Sequence, residues 1–230
     1  MDLISIIIIG VAMLITGAAQ AYISLNYRKY KQISVKSNKS GFDVAREILD
    51  RNGLSNVLIL ETQGELTDHY DPSKKVVKLS HDIYHGQTIA AVSVASHECG
   101  HAIQDKNGYA FLRFRNAIVP LVNFSTKIGY LAIVVGAVLS LMKLVWVGIA
   151  FEVIILLFQL VTLPVEFDAS RRALKLIKEY HMVSDDEHSG AKKMLTSAAL
   201  TYVAGVLATL AEILRYILIF TGRDDRWQKK

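Results

Sequence analysis

The chain has 230 residues, 52% of them hydrophobic, with a formal net charge of +5 and a single cysteine. One cysteine excludes an internal disulfide framework, and hydrophobic residues gathered into long runs exclude an ordinary soluble domain. The positive balance comes without a basic patch interleaved with stacking aromatics, so a lipid surface accounts for it and no nucleic-acid partner is expected.

Taken in order, residues 1–27 predict a transmembrane helix, because no charge interrupts Leu3 to Tyr27. Ala19-Gln20-Ala21 has the look of a cleavage site, but Met1-Asp2 brings no Lys or Arg and a basic stretch follows the run at once. The run therefore reads as an anchor rather than a cleaved signal peptide. Arg28, Lys29, Lys31, Lys36 and Lys39 place its far end in the cytoplasm by the positive-inside rule.

Residues 28–127 predict a cytoplasmic segment. Ser40, with Asp43 three residues on, predicts a helix start; Val44, Ala45, Ile48 and Leu49 give that helix an apolar face, and Asn52-Gly53 ends it. Val57–Leu60 and Val76–Leu79 predict strands, with turns at Gly64 and Asp71-Pro72-Ser73. The second strand sits where a metallopeptidase often offers an edge to an extended substrate, with an ordinary structural strand as the alternative. His69 reads as a solvated loop residue. His81 and His85 are spaced i,i+4, but Gly86 follows at once, and the pair reads as a polar turn rather than a metal site.

The motif that organises the chain is Ser96-His97-Glu98-Cys99-Gly100-His101, an H-E-x-x-H sequence on a helix predicted to start near Thr88 and to end at Asn107-Gly108. At about 100° per residue, His97 and His101 fall about 40° apart on one helix face, one turn from each other. Two imidazoles so placed can reach one Zn²⁺, while Glu98 lies beside the metal as a base for water rather than a ligand. The bland alternative is a surface helix with a histidine pair. Cys99 falls on the opposite face and reads as a small packed residue.

Arg113, Arg115 and Lys127 keep the chain near the headgroups before residues 128–165, a transmembrane hairpin turning near Lys143. Glu152 and Gln159 lie inside its return arm, where polar groups face a partner helix or a watery cavity. Residues 166–193 return to the cytoplasm with Arg171, Arg172, Lys175 and Lys178. In 194–230, Met194 to Phe220 is apolar enough to cross, with Glu212 and Arg215 as an i,i+3 pair. A further crossing would put Arg223, Arg226, Lys229 and Lys230 outside, so crossing and packing on the protease segment both stay open.

A catalytic zinc takes a third protein ligand and leaves a position for water. With neither Gly at 104 nor His at 107, the longer H-E-x-x-H-x-x-G-x-x-H arrangement is excluded. A glutamate on a later helix is the usual alternative. In Pro164-Val165-Glu166-Phe167-Asp168-Ala169-Ser170, Pro164 suits a helix start and Glu166 its first turn, which makes Glu166 the best candidate. The competing reading is an acid favoured by a helix N-terminus. Asp168 is a weaker candidate, and Glu179, His181, Asp185, Asp186 and His188 are weaker still.

Leu66-Thr67-Asp68-His69-Tyr70-Asp71-Pro72, Val94 to Gln104 across the motif, Leu163 to Ser170, and Thr201-Tyr202-Val203-Ala204 together resemble the YugP-type membrane zinc metallopeptidases of bacteria. The likeness covers nearly the whole chain. It implies a multi-pass cell-membrane protein carrying a zinc-peptidase domain. More distantly, Glu166 to Ser170 is similar to the E-F-x-A-D helix of HtpX-type and CAAX-prenyl proteases, whose first glutamate binds zinc, which supports Glu166. Ser170 replaces that pattern's aspartate and, one turn from Glu166, can still hydrogen-bond a zinc-binding histidine without charge.

The expected fold is mainly α with a small β element, a gluzincin-like protease domain facing the cytoplasm on at least three spans. His97, His101 and Glu166 are expected to hold Zn²⁺, with Glu98 as general base. Tyr202, His69 and His181 are candidate oxyanion donors. The expected partners are the bilayer and membrane-protein or apolar peptide substrates, and no segment points to a particular oligomeric state. Two other readings are a zinc-stabilised membrane scaffold or chaperone-like adaptor, and a hydrolase of lipids or non-peptide amides.

Overall fold

The computed structural model describes residues 3–227; of the basic tail, Lys229 and Lys230 lie outside the described residues. The order of elements is α1 (Leu3–Tyr30), α2 (Gly41–Arg51), β1 (Leu58–Thr62), β2 (His69–Asp71), β3 (Val76–Ser80), α3 (His81–His85), α4 (Ile89–Lys106), α5 (Ala110–Val138), α6 (Met142–Glu179) and α7 (Asp185–Trp227). The mainly α fold with a small β element is as expected. Two compact units divide the chain: residues 1–19, 114–163 and 201–230 form one, and residues 20–113 and 164–200 the other.

The first unit holds the apolar stretches. Among the described residues, α1, α5, α6 and α7 are each long and apolar enough to cross a membrane. α5 and α6 approach through small residues: a Cβ on Gly148 would lie 2.7 Å from the Gly129 carbonyl oxygen and 2.9 Å from the Ile133 nitrogen. Close backbone contact of this kind is how helices gain packing where lipid removes the hydrophobic drive. Ile133, Val145, Ile149, Ile213, Tyr216 and Phe220 form a buried cluster, while Leu131, Val138, Leu157 and Leu214 stay exposed as lipid-facing residues would. The helices outrun their apolar cores. α5 begins at Ala110 rather than near Ile128, and the turn before α6 falls at 139–141. Pro164 starts no helix. It lies inside α6, which continues unbroken to Glu179, as membrane helices allow when neighbouring groups satisfy the freed backbone.

The second unit is built on one apolar core. Ser40 caps α2 as its sequence predicts: the Ser40 hydroxyl accepts from the Asp43 amide, and the Asp43 carboxylate accepts from the Ser40 amide at 2.9 Å. Val44, Ala45, Ile48 and Leu49 of α2 are wholly buried, and they pack with Ala91, Val92, Ala95 and Cys99 of α4. The sheet has the order β1-β3-β2, with β1 parallel and β2 antiparallel to β3. β3, the predicted Val76–Leu79 strand, therefore has no free edge. β2 fills the side where an extended substrate was expected, and β3 is the buried centre of the sheet. β2 itself was unexpected, and it takes His69 out of the loop assigned to it.

Candidate metal centre

α4 opens on Thr88, whose hydroxyl accepts from the Ala91 amide at 3.2 Å, and closes at Asn107 and at Gly108, where φ is +63°. It is buried on almost every side, as befits a helix through a core rather than on a surface. Cys99 is a packed residue, as expected, with its sulfur 3.6 Å from the Ala45 carbonyl. Gly100 has the sharper role: a Cβ there would stand 2.7 Å from the Ala169 carbonyl oxygen and 3.2 Å from its Cα. α4 and α6 touch backbone to backbone at this point, and Glu166 sits one turn before it on α6.

That contact brings three side chains together. Nε2 of His97 lies 3.2 Å, and Nε2 of His101 3.6 Å, from the same Glu166 oxygen, Oε2. Each of the three residues offers a ligand atom within 4.8 Å of the others. Donors bound to zinc at about 2.0–2.1 Å on the corners of a tetrahedron stand about 3.3 Å apart. The spacing and the donor types, two imidazoles and a carboxylate, fit zinc. His101 and Glu166 are 8% and 3% exposed, so water does not compete freely for them.

The far side of each ring is also held. Nδ1 of His101 lies 3.0 Å from Oε1 of Gln104, so the ring's Nδ1–H donates to that amide oxygen, and the Gln104 amide nitrogen donates to the Val165 carbonyl at 2.8 Å and to Asp168 at 2.9 Å. Arg172 donates to the same Asp168 oxygen at 2.6 Å. Ser170 lies 3.1 Å from Nδ1 of His97, the contact its place on the helix implied. With both Nδ1 atoms engaged, both Nε2 atoms face Glu166, the orientation a shared cation needs.

The electrostatics agree. Burial alone would raise the Glu166 pKa, but its hydrogen bonds with His101 and His97 outweigh this and hold it well below the usual carboxylate range. Burial works against the charged form of His101, yet its bonding to Glu166 raises its pKa overall. This carboxylate is set to meet a positive charge, which a proton or a metal can supply. Burial pushes Glu98 upward, against the pull of His97 and His101, with Glu166 and then Asp68 adding to the rise.

The other candidates of the second unit fall elsewhere. His69 is on β2, exposed, with Nδ1 2.8 Å from the Thr67 carbonyl. His181 is exposed in the turn after α6, with φ +52°. Tyr202 lies on α7 in the membrane unit. Glu179, Asp185 and Asp186 are exposed, and His188 lies 3.2 Å from the Leu174 carbonyl. Gln104 and the Asp168–Arg172 pair are the site residues not foreseen as its supports. The available signal was a glutamine three residues past His101 on a buried helix face.

Apolar helices long enough to cross a membrane, with a His-His-Glu cluster whose histidines come from an H-E-x-x-H helix and whose glutamate comes from α6, point to a class: helical membrane proteins with a zinc-peptidase-type donor set. Comparison with known sequences carries this to a family. Residues 5–221 match the family described as "Putative neutral zinc metallopeptidase", and the chain belongs to it. It is also 44% identical to the "Putative membrane protease YugP" of Bacillus subtilis (strain 168) over 208 residues, 90% of this chain and 92% of the relative. No solved structure matches.

Proposed function

We propose that the chain is a gluzincin-type endopeptidase of the cell membrane, cutting membrane-protein or apolar peptide substrates. The observation that carries this reading is the convergence of His97, His101 and Glu166 with Glu98 buried beside them. His97, His101 and Glu166 would hold zinc. Zinc, when bound, supplies Lewis-acid polarisation of the scissile carbonyl and makes water a better acid. Glu98 takes the proton from the attacking water and returns it to the leaving amine. Three protein ligands leave a position open for that chemistry, whereas a structural zinc is closed by four, and a scaffold has no use for Glu98. An extended substrate that pairs with the sheet must use an outer edge. β2 is favoured, because its Tyr70 donates to Asp105 of α4, the helix that carries the motif, at 2.8 Å.

The proposed orientation puts the metal centre on the cytoplasmic side. Arg28, Lys29, Lys31, Lys36, Lys39, Arg113, Arg115, Arg171, Arg172, Lys175 and Lys178 all flank membrane stretches on that side. In the sequence they outnumber the four basic residues that follow the last apolar stretch, Arg223, Arg226, Lys229 and Lys230.

The test is cleavage of an unfolded apolar reporter by the full chain in detergent. Activity should vanish on zinc chelation and return with added zinc; cleavage indifferent to chelation would refute the proposal. Gln104→Leu leaves His101 without its partner and takes one donor from Val165 and one from Asp168, which keeps Arg172. Its zinc affinity, measured against a competing chelator, should fall about 10–100-fold, the usual cost of losing such a support.

A further inference from the structure

We infer that Glu61, His81 and His85 form a second metal site, one that takes Zn²⁺ or a similar first-row divalent ion at the surface of the second unit. The site does not depend on the proposed protease activity. His81 and His85 are the first and last residues of α3, and Glu61 comes from β1. Nδ1 of His81 is 2.6 Å from one Glu61 oxygen and Nε2 of His85 is 3.1 Å from the other. One ligand atom from each residue lies within 4.8 Å of the others. Two imidazoles and a carboxylate from two separate elements form a donor set suited to zinc, cobalt or nickel.

The backing is firm. Ile83 is fully buried beneath α3, and Asp68 holds the start of the helix by accepting from the Ser80 amide at 2.6 Å and from its hydroxyl at 3.0 Å. Tyr84 lies against His85, with ring centroids 4.8 Å apart, and packs on Phe42. The neighbouring cation, Lys31, is already paired with Asp82 and Glu65, which limits its repulsion of an incoming metal. The side chains of His81, Glu61 and His85 are 73%, 42% and 55% exposed. Water can therefore fill the remaining positions, and binding is weaker than at the buried centre. The ion would clasp the edge of the sheet to the helix leading into α4.

The test is zinc per chain for the full-length protein in detergent, after equilibrium dialysis against buffered free zinc. Wild type should bind two ions. His81→Ala/His85→Ala should bind one, retained against a chelator, and Glu166→Ala should bind one that the chelator removes. Glu61→Gln, which keeps the shape of the cluster, should match the double-histidine variant. The same number of ions in wild type and in the double-histidine variant, whatever that number is, would overturn the inference. Loss of only the chelator-resistant ion in Glu166→Ala keeps this outcome separate from the fate of the buried centre.

Discussion

Glu98→Gln is expected to lower peptide cleavage about 10²–10⁴-fold, the contribution of a positioned general base, while the protein keeps its zinc. Glutamine fills the same space in a position 7% exposed, so neither packing nor the His97–His101–Glu166 cluster is disturbed. What disappears is a group able to take a proton. Burial raises the pKa of Glu98 above that of an ordinary glutamate, although His97 and His101 oppose the rise. Steady-state cleavage beside metal analysis checks this. A variant that keeps wild-type turnover would remove Glu98 from the chemistry.

The second large effect is expected from a single methyl group. In Gly100→Ala the new Cβ meets the Ala169 backbone at 2.7 Å, and backbone cannot swing aside as a side chain can. Alanine in a helix interior gains about 1 kcal/mol over glycine, but overpacking costs about 1–3 kcal/mol, so the net change is destabilising or close to neutral. The larger consequence is positional. α6 must move away from α4, and Glu166 moves with it, one turn from the contact. Zinc affinity should fall at least about tenfold, as a ligand drawn out of place loses its fit. Gly205→Ala is the control, since a Cβ there meets nothing within 4 Å. Chelator competition on the two variants separates a packing effect at the site from the general effect of adding a methyl group.

Much of the site was legible from sequence because it is local. The i,i+4 spacing of His97 and His101 is set by helix geometry, and Thr88 and Asn107-Gly108 are strong punctuation at the ends of α4. Ser170 stands four residues after Glu166, so its reach to His97 follows once Glu166 faces that histidine. What escaped depends on contacts between distant segments. Gln104 supports His101 only because α6 brings Val165 and Asp168 to it. β2 is three residues of polar or aromatic character with no apolar alternation to announce it, and its presence closes the edge of β3. Pro164 looked like a helix start because proline favours that place in isolation. In the fold it sits within a helix that begins in the apolar hairpin and carries on past Glu166. Glu61 joined His81 and His85 through the parallel pairing of β1 with β3, in which Glu61 stands opposite Leu79, two residues before His81.

In the proposed function, His97, His101 and Glu166 hold one zinc ion for which Glu98 is the base. The most direct measurement is zinc retained per chain after dialysis against a competing chelator, with reporter cleavage in the same samples, for wild type, Glu98→Gln and Glu166→Ala. Wild type and Glu98→Gln should each retain one ion, only wild type should cleave, and Glu166→Ala should retain none and cleave nothing. Zinc held equally by all three proteins, with Glu166→Ala as active as wild type, would contradict the ligand set and the mechanism built on it.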